Sequence, residues 1–192
     1  MAGVKGNRKI LYTKKVLKDS LLKLLETKDI HQVTVTDLCK QADVNRGTFY
    51  AHYKDAYDLL ESMENELFSQ VVQYIEDTPV EQYFDSLLIN VLDLIKENKE
   101  LCKILLFRQR DNKLLDKLFC IAYEAGLKEV YQETALYSET NFNYYIKYVV
   151  GGCIAIIQTW LENDFPESSV ELARVINSVS VLASSYHSYI QK

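Results

Sequence analysis

The 192-residue chain has few of the residues that break helices: two prolines, Pro79 and Pro166, and six glycines. A β-sandwich or β-barrel needs turn residues roughly every 8–12 positions, so this scarcity excludes both and points to long helices. The four cysteines (Cys39, Cys102, Cys120, Cys153) lie far apart with no CxxC pair. That excludes a disulfide framework and fits reduced, buried thiols in a cytoplasmic protein. The three histidines are scattered too, so no metal-ligand cluster forms in the sequence. The longest nearly apolar run, Tyr148 to Leu161, is too short and too polar at its ends to span a bilayer, and no apolar signal segment opens the chain. There is no Gly-rich phosphate loop, nucleophile–base spacing or convergent carboxylate pair, so neither an enzyme nor a cofactor is expected.

What is present is a chain with enough apolar content for a sizeable core, 48% hydrophobic against 26% charged, which excludes general disorder. The net charge of −5 argues against nucleic acid until it is divided by segment. Residues 1–57 carry eleven Lys/Arg against six Asp/Glu, a net +5, while residues 58–192 carry −10. A basic N-terminal portion on an acidic body suggests that the first part alone meets a polyanion.

Residues 1–9 hold two glycines and little apolar content, and are expected to be a flexible basic tail. From Thr13 the spacing of Val16, Leu17, Leu21, Leu24 and Leu25 predicts a helix that stops between Thr27 and Asp29. Thr34-x-x-Asp37 has the form of a capping box opening a short helix over 35–42. Asp43-Val44-Asn45 then makes a tight turn, with Asn45 as N-cap of another short helix from Arg46 to about His52. Asp55 caps a fourth helix running to about Asp77. Further helices are expected over 80–98, 99–107, 113–136, 141–162 and 169–190, with a polar loop at 108–112. The fold class is therefore all-α: a three-helix helix-turn-helix head on a larger helical-bundle body, about nine helices in all.

The short helices carry the chemistry. A helix enters the DNA major groove when the residues at its start are exposed and small or polar. Asn45 and Thr48 offer short hydrogen-bonding groups, Arg46 a charged fork, and Gly47 room for close backbone approach, while Val44, Phe49 and Tyr53 face inward as the anchor. Residues 34–59, TVTDLCKQADVNRGTFYAHYKDAYDL, resemble the DNA-binding signature of the tetracycline-repressor (TetR/AcrR) family of bacterial regulators. The resemblance implies DNA contacts at Thr34, Thr36, Asn45, Arg46, Gly47, Thr48, Tyr50, His52 and Lys54. Two positions depart from the pattern: Asp43 stands where the family usually has glycine, and Ala56 where many members have lysine. Aspartate tolerates the left-handed conformation better than most residues, so the turn is expected to survive. His31 and His187 are expected to be structural or surface groups, and Arg108 and Arg110 part of a solvated loop.

The body is marked by missing charge. Phe142 to Leu161 has one charged residue, Lys147, and Val175 to Ile190 has none. Helices this apolar must be covered nearly all round. The simplest cover is a second copy of the chain, forming a two-fold symmetric four-helix bundle. The expected interface comprises Tyr145, Val149, Gly152, Cys153, Ile156, Trp160, Val175, Val179, Leu182 and Tyr186, and the resemblance likewise implies dimerisation through the last two long helices. The expected division is a DNA-binding domain over 1–54 and a dimerisation and effector-binding domain over 55–192. The expected function is a cytoplasmic, dimeric repressor of a palindromic operator in double-stranded DNA. It is released by a small-molecule effector in the body, whose ligand residues the sequence does not name. The stretch YVVGGCIAIIQTWLENDF is also similar to members from low-GC Gram-positive bacteria, some of which act as activators bound to a protein partner. A DNA-bound activator or coactivator controlled by a protein is therefore the alternative.

Overall fold

The computed structural model describes residues 3–79, 86–107 and 139–185. Among the described residues there are eight α-helices and no strand: α1 (Gly3–Leu25), α2 (Val35–Ala42), α3 (Arg46–Tyr50), α4 (Ala56–Asp77), α5 (Leu88–Glu97), α6 (Lys99–Phe107), α7 (Glu139–Glu162) and α8 (Ser169–Ser185), with a 3-10 turn at Ile30–Gln32. Residues 80–85 of the helix expected over 80–98, the loop and helix expected over 108–136, and the end of the last helix with Tyr186 lie outside the described residues. The chain divides into two compact units, Met1–Ser69 and Gln70–Lys192.

In the first unit, Leu17, Leu21 and Leu25 of α1 are fully or almost fully buried, and α1 packs on α2. Each such leucine contributes about 1.5–3 kcal/mol of apolar burial. The tail expected over residues 1–9 is instead helical from Gly3. The buried leucine stripe supplies the costly helix nucleus. Lys5, Arg8, Lys9 and Ile10 then extend it cheaply, against about 1 kcal/mol for each of Gly3 and Gly6.

Short-range hydrogen bonds set the next boundaries. The Thr34 hydroxyl accepts from Asp37 N at 3.1 Å, and the Asp37 carboxylate accepts from Thr34 N at 3.4 Å, so the capping box closes in both directions. Asp43 ends α2 in the left-handed conformation, φ 52° and ψ 46°, as expected of it, and Val44 N donates to Cys39 O at 3.0 Å. Asn45 then caps α3 through a bond from Thr48 N at 2.8 Å. Asp55 caps α4 through Asp58 N at 2.9 Å, and Lys18 of α1 pairs with Glu66 of α4. The core beneath these bonds is Leu38, Phe49, Tyr53, Ala56, Leu59, Leu60 and Met63.

In the second unit, α8 packs on α5 and α7, and α6 packs on α5 and α7. The core joins Leu92, Trp160, Leu172, Ala173 and Ile176. Trp160 was expected on the partner-facing side of its helix; it is instead 2% exposed and belongs to the core of its own unit. Its ring meets Phe165 edge-on with centroids 4.6 Å apart, and its Nε1 donates to Glu167 O at 3.0 Å. A charge-free stretch shows that a face is covered but not by which chain, and here α5 and α8 of the same chain supply the cover. The turn after α7 holds Asp164 and Phe165 both left-handed, at φ 62° and 59°. The Phe165–Trp160 ring contact, a bond from Phe165 N to Trp160 O at 2.9 Å, and an ion pair from Lys99 to Asp164 hold it there. In α6, burial pushes the Cys102 thiol up to about 12, which makes it a packing residue rather than a nucleophile.

Candidate nucleic-acid interface

Position 49 organises the site. Phe49 has no exposed surface and Tyr53 is 5% exposed, so α3 is pinned by these two rings, whose centroids lie 6.1 Å apart. With Phe49 facing inward, the 3.6-residue repeat turns its neighbours outward. Asn45, Arg46, Gly47 and Tyr50 are exposed, and Thr48 is half-buried. Thr34 and Thr36 are exposed at the start of α2, and Lys54 is exposed just before α4. His52 is half-buried, its ring 6.3 Å from that of Tyr53. The structure therefore gathers the nine expected contact residues on α2, α3 and the segment that leaves α3, all within one unit.

The chemistry on this surface is mostly donating. The Asn45 side-chain oxygen is occupied as a cap, leaving the amide nitrogen to donate. Arg46 donates one bond to the Tyr50 hydroxyl at 3.2 Å, and that contact holds the guanidinium above its ordinary range. A Cβ placed on Gly47 would sit 3.3 Å from the Asn45 side-chain oxygen. Glycine here keeps the cap uncrowded and leaves the backbone bare. The first N–H groups of α2 have no acceptor in their own helix apart from the one the Thr34 hydroxyl takes. A surface of positive charge and hydrogen-bond donors suits phosphate oxygens and the acceptor edges of bases.

One supporting residue carried no signal in the sequence. Lys28, beyond the end of α1, donates to the Asp37 carboxylate at 3.0 Å. That bond, with those from Thr34, holds Asp37 below the usual carboxylate range. It joins α1 to the start of α2 and so fixes how Thr34 and Thr36 are presented. The two residues are nine apart, too far for any local pattern to announce the pair. Among the described residues no three His, Cys, Asp or Glu side chains cluster as a metal site requires. Nor is any described helix long and apolar enough to cross a membrane.

A two-helix unit with a tight turn, anchored by two buried aromatic rings and exposing polar residues on its second helix, defines a helix-turn-helix DNA-binding protein. The sequence profile described as "Bacterial regulatory proteins, tetR family" matches residues 19–63, and that described as "Transcriptional regulator C-terminal region" matches residues 82–180. The chain belongs to the TetR family of transcriptional regulators. It is similar to the uncharacterized HTH-type transcriptional regulator YxbF of Bacillus subtilis, 21% identical over 175 residues. That alignment takes in 83% of this chain but 42% of YxbF, so the chain spans less than half of that relative's length. The fold is similar to the dihydroxyacetone kinase operon activator DhaS, with a TM-score of 0.59 at 17% identity over 89% of this chain and 95% of that one. It is also similar to the regulator FadR of B. subtilis, solved in complex with stearoyl-CoA, with a TM-score of 0.67 at 19% identity over 87% and 97%.

Proposed function

We propose that the chain is a dimeric repressor that reads a palindromic operator with α2 and α3 and is released by a small molecule bound in the helical body. The observation that carries the DNA-reading part is the exposure of Asn45, Arg46, Gly47 and Tyr50 around a fully buried Phe49. Thr34, Thr36, Thr48, His52 and Lys54 complete the contact set. In this reading residues 1–54 are the DNA-binding head and residues 55–192 the dimerising, effector-binding body, acting in the cytoplasm.

Support for the dimer comes from an exposed stripe on α7: Tyr144 at 70%, Tyr148 at 66%, then Gly151, Gly152 and Ala155 at helical spacing. A Cβ on either glycine would meet nothing within 4 Å, so another backbone can come close. Val175 and Val179, nearly half exposed, form the matching apolar strip on α8. We assign the interface to these exposed residues together with the half-buried Val149. Cys153 and Ile156 pack partly against the core of their own unit and back the interface from behind. The stearoyl-CoA bound to FadR supports a small-molecule effector for this chain. The operon activator DhaS supports a second reading, in which the same head recruits rather than blocks transcription and a protein partner controls it.

The test is selection of bound duplexes from a random DNA library at two salt concentrations. Recovery of a palindrome, bound more weakly at the higher salt, supports a two-fold symmetric reader. Recovery of a single asymmetric half-site overturns the dimer, and recovery of no consensus overturns the operator.

A further inference from the structure

Arg46 and Tyr50 stand one helical turn apart on α3, and both are exposed. Besides the hydrogen bond to the Tyr50 hydroxyl, the Arg46 guanidinium carbon lies 5.8 Å from the Tyr50 ring centroid. Tyr50 is itself braced: the buried Phe49 ring meets it edge-on, with centroids 5.6 Å apart and planes at 84°. A chain of contacts thus runs from a fully buried ring through a half-exposed one to an exposed cation.

This matters because an exposed arginine is ordinarily free to sample many rotamers and loses that freedom on binding. The cation–ring contact and the hydrogen bond remove part of the freedom before any partner arrives, which is preorganisation. The donor count agrees. A guanidinium has five N–H donors, so four remain after one goes to Tyr50. The Tyr50 oxygen accepts that bond, so its own hydrogen stays available. The pair therefore presents two adjoining donor groups and one positive charge, the requirement for binding the oxygens of a single phosphate.

We propose that Tyr50 is the positioning residue of Arg46, and that the two bind one phosphate of the DNA backbone as a unit. The proposal rests on the reading of α3 as the DNA-contacting helix, but adds that the two residues are not independent contacts. A unit has a distinct energetic signature: removing either member removes most of what both supply.

The experiment uses the full chain, with Arg46→Ala, Tyr50→Phe and the double variant, and two probes: the duplex recovered by selection and a random-sequence duplex of the same length. Each single variant is expected to bind about tenfold more weakly, and the double variant no more than about tenfold more weakly. The salt dependence should fall by about one phosphate contact for Arg46→Ala and for the double variant alike. Losses that multiply to about a hundredfold overturn the unit. Losses confined to the selected duplex overturn the phosphate and place the pair on a base edge. A second arm needs no DNA: the order parameter of the Arg46 side-chain Nε, assigned by its disappearance in Arg46→Lys. It should be high in the free wild-type chain, lower in Tyr50→Phe and lowest in Tyr50→Leu. An Arg46 equally mobile in all three overturns the positioning role, whatever the fate of the DNA-binding reading. A wild-type chain from which selection recovers no bound duplex overturns that reading separately.

Discussion

The side-chain oxygen of Asn45 accepts two hydrogen bonds from Thr48, one from its backbone N–H at 2.8 Å and one from its hydroxyl at 3.1 Å. Asn45 therefore cannot make the paired donor-and-acceptor contact by which an asparagine recognises adenine, because its acceptor is in use. It is a cap that also donates. The two roles can be separated by substitution. Asn45→Asp keeps the capping oxygen and removes the donor, so thermal stability should hold while DNA affinity falls. Asn45→Ala removes the cap as well and should cost about 1 kcal/mol, read as a lowered melting temperature. Equal affinity for wild type and Asn45→Asp would remove Asn45 from the contact set.

Asp37 makes the head sensitive to acid. Its carboxyl is held below its ordinary value of 3.8, first by the bond from Lys28 and then by those from Thr34. A carboxylate with a depressed folded-state pKa stabilises the fold fully above its unfolded value and loses that contribution as pH falls through the folded one. Stability should thus drop below about pH 4 more steeply in the wild type than in Asp37→Asn, which lacks the charge at every pH. Chemical denaturation at pH 6 and pH 3 measures the difference; parallel losses in both proteins would show that the Lys28 pair contributes nothing.

Asp43 pays a conformational cost that glycine would not. At φ 52° an L-residue is disfavoured, though less so for aspartate than for most. Asp43→Gly should stabilise the chain by up to about 1 kcal/mol and remove a negative charge beside α3. Both a higher melting temperature and tighter DNA binding are expected, from calorimetry and a binding titration. A lower melting temperature would mean that the aspartate side chain supports the turn.

The core role of Trp160 and the surface role of Val179 predict opposite failures. Trp160→Ala should cost about 3–5 kcal/mol through the cavity it leaves among Leu92, Leu172 and Ile176. Val179→Asp, at a position 45% exposed, should leave the fold intact and shift sedimentation from dimer to monomer. A Val179→Asp dimer of unchanged affinity would refute the proposed interface.

The parts of the head legible in the sequence were those decided within three residues. Thr34 with Asp37, Asn45 with Thr48, and Asp55 with Asp58 are side-chain caps whose partners lie in the next turn, so the helix starts could be read directly. Of the inward set Val44, Phe49 and Tyr53 read from spacing, Phe49 and Tyr53 are buried and Val44 is half-buried. What escaped depends on distant partners. The helical start of α1 follows from a leucine stripe packed on α2, and the Lys28–Asp37 pair from the path of the turn between them. The burial of Trp160 depends on α5, more than sixty residues earlier, and on a turn in which Phe165 takes a conformation its side chain disfavours.

The most direct measurement is hydrogen–deuterium exchange of the full chain with and without the selected duplex. Protection gained at residues 34–36 and 45–54, with α1 and the second unit unchanged on the same timescale, is the predicted result. Protection confined to other segments, with 45–50 exchanging as in the free protein, would contradict the assignment of α3 as the surface that meets DNA.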